Sequence, residues 1–541
     1  MTKPISYRDK CVLIVDDMAD MRSSLRSQVG SLDIQNVSVA ANIRDALELL
    51  AHKRFDVILC DYYLGGPTDG QQFLEYLRTG NLIKRAVNFI MITAETGYES
   101  VITAAECLPD DYLLKPFTAE TLRSRFARLI ERKLHLQKID QLHDQCNWSA
   151  IIDACDEMIS RPDKYLIDAM RIKGNALLMA DRHQEAILFY ERVISQRKLP
   201  WARLGLARAM KGNGQFDFAK QLLNELINDA PQLLSAYDLL GKIHAEKGDD
   251  AAAISILEKA GRVAPNSLNR QRSIVELAEK NGDFQRVESI LTSVLKKTKN
   301  SPLRNPADYA KLSNAYLEMN DLQKAGGIID EANINFKDTG TSRALSAVEA
   351  QVRFKTGQPE LAQQALAKAL EGGTNDIADE LACLIAKACL VNGKPDAAEG
   401  IVKHLLQNNP DSAAVVKAVS DIYKNHGGEE ATKILIEQSA QEVVKLNNEA
   451  VVKAKSGGYA EAAQMLTEAA FRLPNNLQIV ANAAVALLAD VFMNQFDIGK
   501  LRQAKSFAKV IEKANKEHPK LKEVAHILQK IQSKYPTESR S

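Results

Sequence analysis

Short apolar runs alternate with amphipathic stretches over the first 130 or so residues. Cys11–Val15, Val37–Ala40, Val57–Cys60, Val87–Ile92 and Asp111–Leu114 predict five strands. Between them, near 20–30, 43–51, 69–79 and 98–106, apolar positions recur at helical spacing, and another helix begins near 118. Strands that are apolar on both faces belong in a parallel sheet covered on both sides. Five β–α alternations therefore predict a doubly wound α/β fold, with any ligand at the carboxyl ends of the strands.

Beyond about residue 140 the strand pattern stops and helix pairs take over. Gly214, Gly248 and Gly282 stand 34 residues apart, and so do Pro231 and Pro265. Ala219 and Ala253 keep that register, as do Leu223, Leu257 and Leu291. A 34-residue helix–turn–helix period resembles the tetratricopeptide repeat. The match is densest at Tyr237, Leu240, Gly241, Ala253, Leu257, Ala260 and Pro265, and at Tyr459, Ala462, Leu466, Ala469 and Pro474. Weaker units centre on Ala186 and Tyr190, Tyr309 and Ala325, Ala350 and Ala362, and Ala386 and Ala398. A single pair cannot bury its apolar face, so neighbours stack into an all-α superhelical solenoid with a concave groove. The spacing slips near 300–306, 338–342 and 426–429.

The expected organisation is an α/β domain over 1–133, a helical linker over 134–147, about nine to ten repeat units over 148–535 with the last pair a cap, and a flexible tail at 536–541. No proline or glycine occurs from Phe117 to Arg161, so the last helix of the first domain is expected to run on into the linker. Charge and cysteine content narrow the function. Seventy basic residues face 69 acidic ones, a net charge of +1, which argues against nucleic acid as a bulk ligand. The seven cysteines are scattered with no C-x-x-C pair, so reduced thiols in a cytoplasmic protein are expected. The best membrane candidate, 473–489, contains Pro474 and Asn475 and is too short and polar to span.

Chemistry collects at the predicted strand ends. Asp16 and Asp17 follow the first strand, Asp61 ends the third, Thr93 the fourth, and Lys115 the fifth, just before Pro116. Strand topology places all of them on one rim. Three crowded carboxylates repel one another and raise a pKa, which a hard divalent cation relieves. A lysine and a hydroxyl beside them suit a phosphoryl group arriving on a carboxylate.

Residues 8–133 thus resemble the receiver domain of two-component response regulators, a flavodoxin-like fold with a five-stranded parallel sheet. The resemblance implies that Asp61 accepts the phosphoryl group, and that Thr93 and Lys115 contact it. It implies Mg2+ held by Asp16, Asp17, Asp61 and the backbone carbonyl of Tyr63, with Tyr112 as a switch aromatic and a cis Lys115–Pro116 peptide. The expected function is a response regulator phosphorylated by a sensor histidine kinase, whose output is a protein or peptide bound in the repeat groove. No DNA-binding output domain and no enzyme activity beyond the receiver's own phosphotransfer and dephosphorylation are expected. Two alternatives stand beside it: a constitutive scaffold whose receiver is a phosphate sink or docking tag, and a nucleic-acid-binding regulator using the repeats.

Overall fold

The computed structural model describes residues 7–66, 68–94, 109–264, 267–299, 301, 303–337, 342–373, 377–424, 428–515 and 518–535. The segment 98–106, expected to be a helix, lies outside these residues, as do Pro67, Pro265, Pro302 and the tail 536–541. The chain divides into two compact units, 1–308 and 309–541. The division falls within the repeats, so the first unit holds the α/β domain together with the first repeats.

Five parallel strands, β1 (Cys11–Val15), β2 (Asn36–Ala40), β3 (Val57–Asp61), β4 (Asn88–Thr93) and β5 (Asp111–Leu114), lie in the order β2-β1-β3-β4-β5. Every residue of β3 and β4 is buried, as their unbroken apolar runs require. Helices cover both faces. On one face α2 (Ile43–His52) and α3 (Gly70–Thr79) bring Ile43, Ala46, Phe73 and Leu77 against the sheet. On the other, α1 (Ala19–Gly30) and α4 (Ala119–Asp144) bring Leu25, Val29, Leu122 and Phe126. Helix starts follow their caps: Asn42 accepts from the Asp45 N–H, Thr118 from Thr121, and Asp69 forms a capping box with Gln72.

Helix α4 runs 26 residues without a break. Its first half buries Leu122, Phe126, Leu129 and Ile130 in the sheet's core. Its second half buries Leu136 and Ile139 beside Ile151, Ile152 and Cys155 of the following helix, Trp148–Ser160. One helix therefore ends one domain and begins the first repeat. The helix Gly428–Lys455 in the second unit does the same between neighbouring repeats. Leu435 packs with residues near 401–423, while Ala450 packs with Ala462 and Leu466.

The repeats owe their glycines to one turn. Gly214, Gly248 and Gly282 have φ of +79°, +79° and +71°. Behind each, the next residue's N–H reaches back five residues: Gln215 to the Met210 carbonyl, Asp249 to His244, Asp283 to Ala278. This is the left-handed helix stop that glycine adopts without steric cost. The same turn occurs at Asp181 (φ 54°) and Asn320 (φ 62°) with the same reach-back bonds, from Arg182 to Leu177 and from Asp321 to Tyr316. Asp and Asn tolerate this conformation best among residues with a side chain.

Other glycines are needed for packing. Tyr190 is buried between the helices Leu166–Met179 and Pro200–Gly212, and a Cβ at Gly174 or Gly205 would collide with its ring. Gly205→Ala is expected to lower stability by about 1–3 kcal/mol through overpacking. A urea titration followed by circular dichroism reads the change, and an unaltered midpoint would show that the ring can move aside.

Candidate functional site

The sheet order reverses direction between β1 and β3, which opens a crevice at their carboxyl ends. Asp16 follows β1 directly and Asp61 ends β3, so backbone topology alone puts them side by side. Asp16 is fully buried, Asp61 is nearly so, and Asp17 points to solvent. Carboxylate oxygens of the three lie within 4.8 Å of one another. The Lys115 Nζ reaches in from the end of β5 and lies 3.0 Å from Asp61 Oδ2 and 3.4 Å from Asp16 Oδ2. Thr93, at the end of β4, is fully buried, and its carbonyl accepts the Lys115 N–H at 2.7 Å. Lys115–Pro116 is cis.

Backbone donors fix these carboxylates. The Tyr62 N–H donates to Asp61 Oδ1 at 3.0 Å, and the Met18 N–H to Asp16 Oδ1 at 2.9 Å. Arg22 donates to the Asp16 carbonyl at 2.7 Å and ties α1 to the crevice. Burial raises the Asp61 pKa, the Lys115 bond pulls it down, and the Asp16 charge raises it again. The repulsion read from the sequence is present, but desolvation is the larger cause. Burial, with Asp61 beside it, also pushes the neighbouring Cys60 thiol far up, so Cys60 is an inert core residue.

Two glycines shape the site, and the charge pattern does not reveal them. A Cβ at Gly65 would run into the Asp17 carboxylate, and one at Gly70 would run into the Asp61 carbonyl. The only sequence signals are Gly-Gly after the third strand and Asp-Gly at the start of the third helix. Tyr63 is 54% exposed, with its ring edge-on to Tyr62 at 4.9 Å. Tyr112 lies one strand further along, opposite Met91, and is partly buried against the core. Burial and the nearby Tyr62 raise its phenol pKa beyond the ordinary range.

The residues present suit a hard divalent cation. Two buried carboxylates and one exposed carboxylate converge on one point with a single ammonium between them, so the cluster carries excess negative charge in an oxygen-rich setting.

A second recess lies within the first unit, between the α/β domain and the inner helices of the repeats. It has a volume of about 970 Å³. Arg85 and His143 line it from one side, and Asn175, Arg208, Lys242 and Glu276 from the repeats. Arg208, Lys242 and Glu276 are 34 residues apart, so the repeat register puts them at equivalent places on successive helices.

Beside its apolar contacts, the junction between the two parts of this unit has an ionic one: Arg132 on α4 grips Asp168 in two bonds of 2.9 and 2.8 Å. Within the α/β domain, Arg78 on α3 is held to Asp110 at 3.1 Å. Asp110 also accepts the Phe89 N–H at 2.9 Å and lies 3.8 Å from Arg132. None of these partners could be paired from sequence.

Residues 12–127 match the family model for the response regulator receiver domain. Residues 177–243 and 234–267 match two tetratricopeptide repeat models. The chemotaxis protein CheY of Pseudomonas aeruginosa is 31% identical over 121 residues, which cover 22% of this chain and 96% of that protein. Chemotaxis protein CheY-3 of Vibrio cholerae is 33% identical over 121 residues, covering 22% of this chain and 92% of that protein. The solved structure of the chemotaxis response regulator CheY4 of Vibrio cholerae is 28% identical, with a TM-score of 0.21, and covers 22% of this chain and 98% of that one. No helix among the described residues is long and apolar enough to cross a membrane. The chain belongs to the response regulator receiver family, and tetratricopeptide repeats follow its receiver domain.

Proposed function

We propose that this protein is a two-component response regulator whose phosphorylation at Asp61 is read out by its repeats as a change in protein binding. The observation that carries the reading is the Asp16–Asp61–Lys115 cluster at the switch point of the sheet, joined by one continuous helix to the first repeat. A sensor histidine kinase is the donor. An Asp61 carboxylate oxygen attacks the phosphorus of the kinase's phosphohistidine. The P–N bond breaks, its electron pair stays on the imidazole, and a proton from water neutralises it. Asp16, Asp17, Asp61 and the Tyr63 carbonyl would hold Mg2+, which when bound supplies positive charge to the phosphoryl oxygens. Lys115 exchanges its carboxylate partners for a phosphoryl oxygen, and the Thr93 hydroxyl donates to another. Tyr112 follows Thr93 as the switch. Beyond this self-directed chemistry the chain is not an enzyme, and it works in the cytoplasm.

The repeat recess is the output surface. Its wall includes Arg85 and His143, so a change in the receiver or in α4 alters the recess itself. Amide hydrogen exchange with and without beryllofluoride, a phosphoryl mimic, tests the reading without a known partner. Altered protection is expected in 166–280 as well as around Asp61. Changes confined to the receiver would favour a constitutive scaffold that carries the receiver as a phosphate sink.

A further inference from the structure

The near-neutral total charge conceals a strongly basic end. Residues 498–534 contain ten lysines and arginines against three glutamates, +7 in a chain whose net charge is +1. The two helices here, Ile498–Ala514 and Pro519–Lys534, sort those charges by face. Leu501, Ala504, Phe507 and Ile511 of the first pack inward, as do Val524 and Ile531 of the second. Arg502, Lys505, Lys509 and Lys513 recur at spacings of three and four, so they form one stripe away from that core. The stripe spans about 16 Å at 1.5 Å per residue. On the second helix Lys522 and Lys530 are exposed as well. Other lysines here are committed: Lys500 to Asp490 at 2.6 Å and Lys520 to Glu523 at 2.7 Å. The six named cations make no ion pair among the described residues.

Unpaired like charges on one rigid face raise each other's energy, and an anionic ligand relieves it. We infer that these two helices bind the phosphate backbone of duplex DNA without reading its sequence. A protein partner fits less well, because lysine is depleted at protein interfaces and the stripe has no aromatic anchor. Insertion into a bilayer needs an apolar face, and here that face is already buried in the core. Single strands are held largely by stacking on aromatic rings, which the stripe does not offer. A regularly spaced row of one guanidinium and three ammonium groups suits backbone phosphates. The broad major groove of B-form DNA admits a helix, whereas that of an RNA duplex is too narrow. This reading is independent of the repeat recess and of Asp61.

The test uses the full-length protein and a fluorescent mixed-sequence DNA duplex, followed by anisotropy over a salt series. Binding is expected at low salt, with log affinity falling against log salt at a slope of about −4 to −5, as about five neutralised phosphates imply. The variant Lys505→Glu/Lys509→Glu/Lys513→Glu is expected to weaken binding at least tenfold, and the Lys→Arg version of the same three to retain it. Lys509 and Lys513 are exposed and Lys505 is half-buried; glutamate is a good helix former, so the changes are expected to leave the helix intact, and a circular dichroism melt checks this. The control Arg44→Glu/Arg54→Glu/Lys138→Glu removes the same charge from exposed positions elsewhere and is expected to have at most a small effect. No binding at low salt, or equal loss in the two variants, overturns the inference. So does tighter binding to an RNA duplex, to polyglutamate or to anionic vesicles than to DNA.

Discussion

Asp61→Asn is expected to reduce phosphoryl uptake from acetyl phosphate to background, and chelating divalent cations is expected to do the same to the unaltered protein. The argument rests on two donors. Lys115 Nζ and the Tyr62 N–H hold the two Asp61 oxygens at 3.0 Å each, so the carboxylate is fixed at the mouth of the crevice. Asparagine fills the same volume and keeps one acceptor oxygen, but it offers no carboxylate nucleophile. Unfolding does not account for the loss. The Asp61 pKa is raised in the folded state, chiefly by burial. An acid with a raised folded pKa ionises more readily when unfolded, so its charge disfavours folding once the pH exceeds its unfolded value. Removing that charge is expected to leave the urea midpoint at pH 7 unchanged or higher. A variant that loses the label and gains stability would mark Asp61 as placed for chemistry at a cost to the fold. Label retained by the asparagine variant would move the acceptor elsewhere.

The site was legible because strand ends in a doubly wound sheet are a fixed address. Once the five apolar runs were read as strands, Asp16, Asp61 and Lys115 had to meet, although Asp16 and Lys115 are 99 residues apart. The repeats were legible where their turn needs glycine and faint where it does not. Asp181 and Asn320 make the same left-handed stop without glycine, and the units they terminate were the weak ones in the sequence pattern. The double role of Gly428–Lys455 was not legible at all. Its two halves bury residues in different clusters, and no turn residue falls between them to mark the change. The junction was half legible. The lack of helix breakers foretold the continuity of α4, but Arg132–Asp168 and Glu131–Lys164 join residues 36 and 33 apart in sequence that only the fold brings together.

A four-residue Gly-Ser insertion between Lys133 and Leu134 is expected to leave phosphorylation of Asp61 intact and to abolish its effect on the repeats. The position follows from the two cores. Ile130 is the last α4 residue packed under the sheet and Leu136 the first packed against the repeat, so the insertion removes neither from its cluster. What it breaks is the rigid span between them, together with the register that lets Arg132 grip Asp168 and lets Glu131 meet Lys164 at 2.6 Å. Glycine inside a helix costs about 1 kcal/mol and serine roughly 0.5 kcal/mol relative to alanine, so the four inserted residues together are enough to interrupt it. Coupling between two sites is typically worth about 1–3 kcal/mol, a factor of about 5–150 in affinity. The insertion is expected to bring that factor close to one, read as the loss of beryllofluoride-dependent hydrogen exchange in 166–280. A response equal to that of the unaltered protein would show that α4 is not the transmitter. One route that reaches the repeats without passing through α4 is the contact between Glu75 on α3 and the backbone N–H of Asn269 at 3.4 Å.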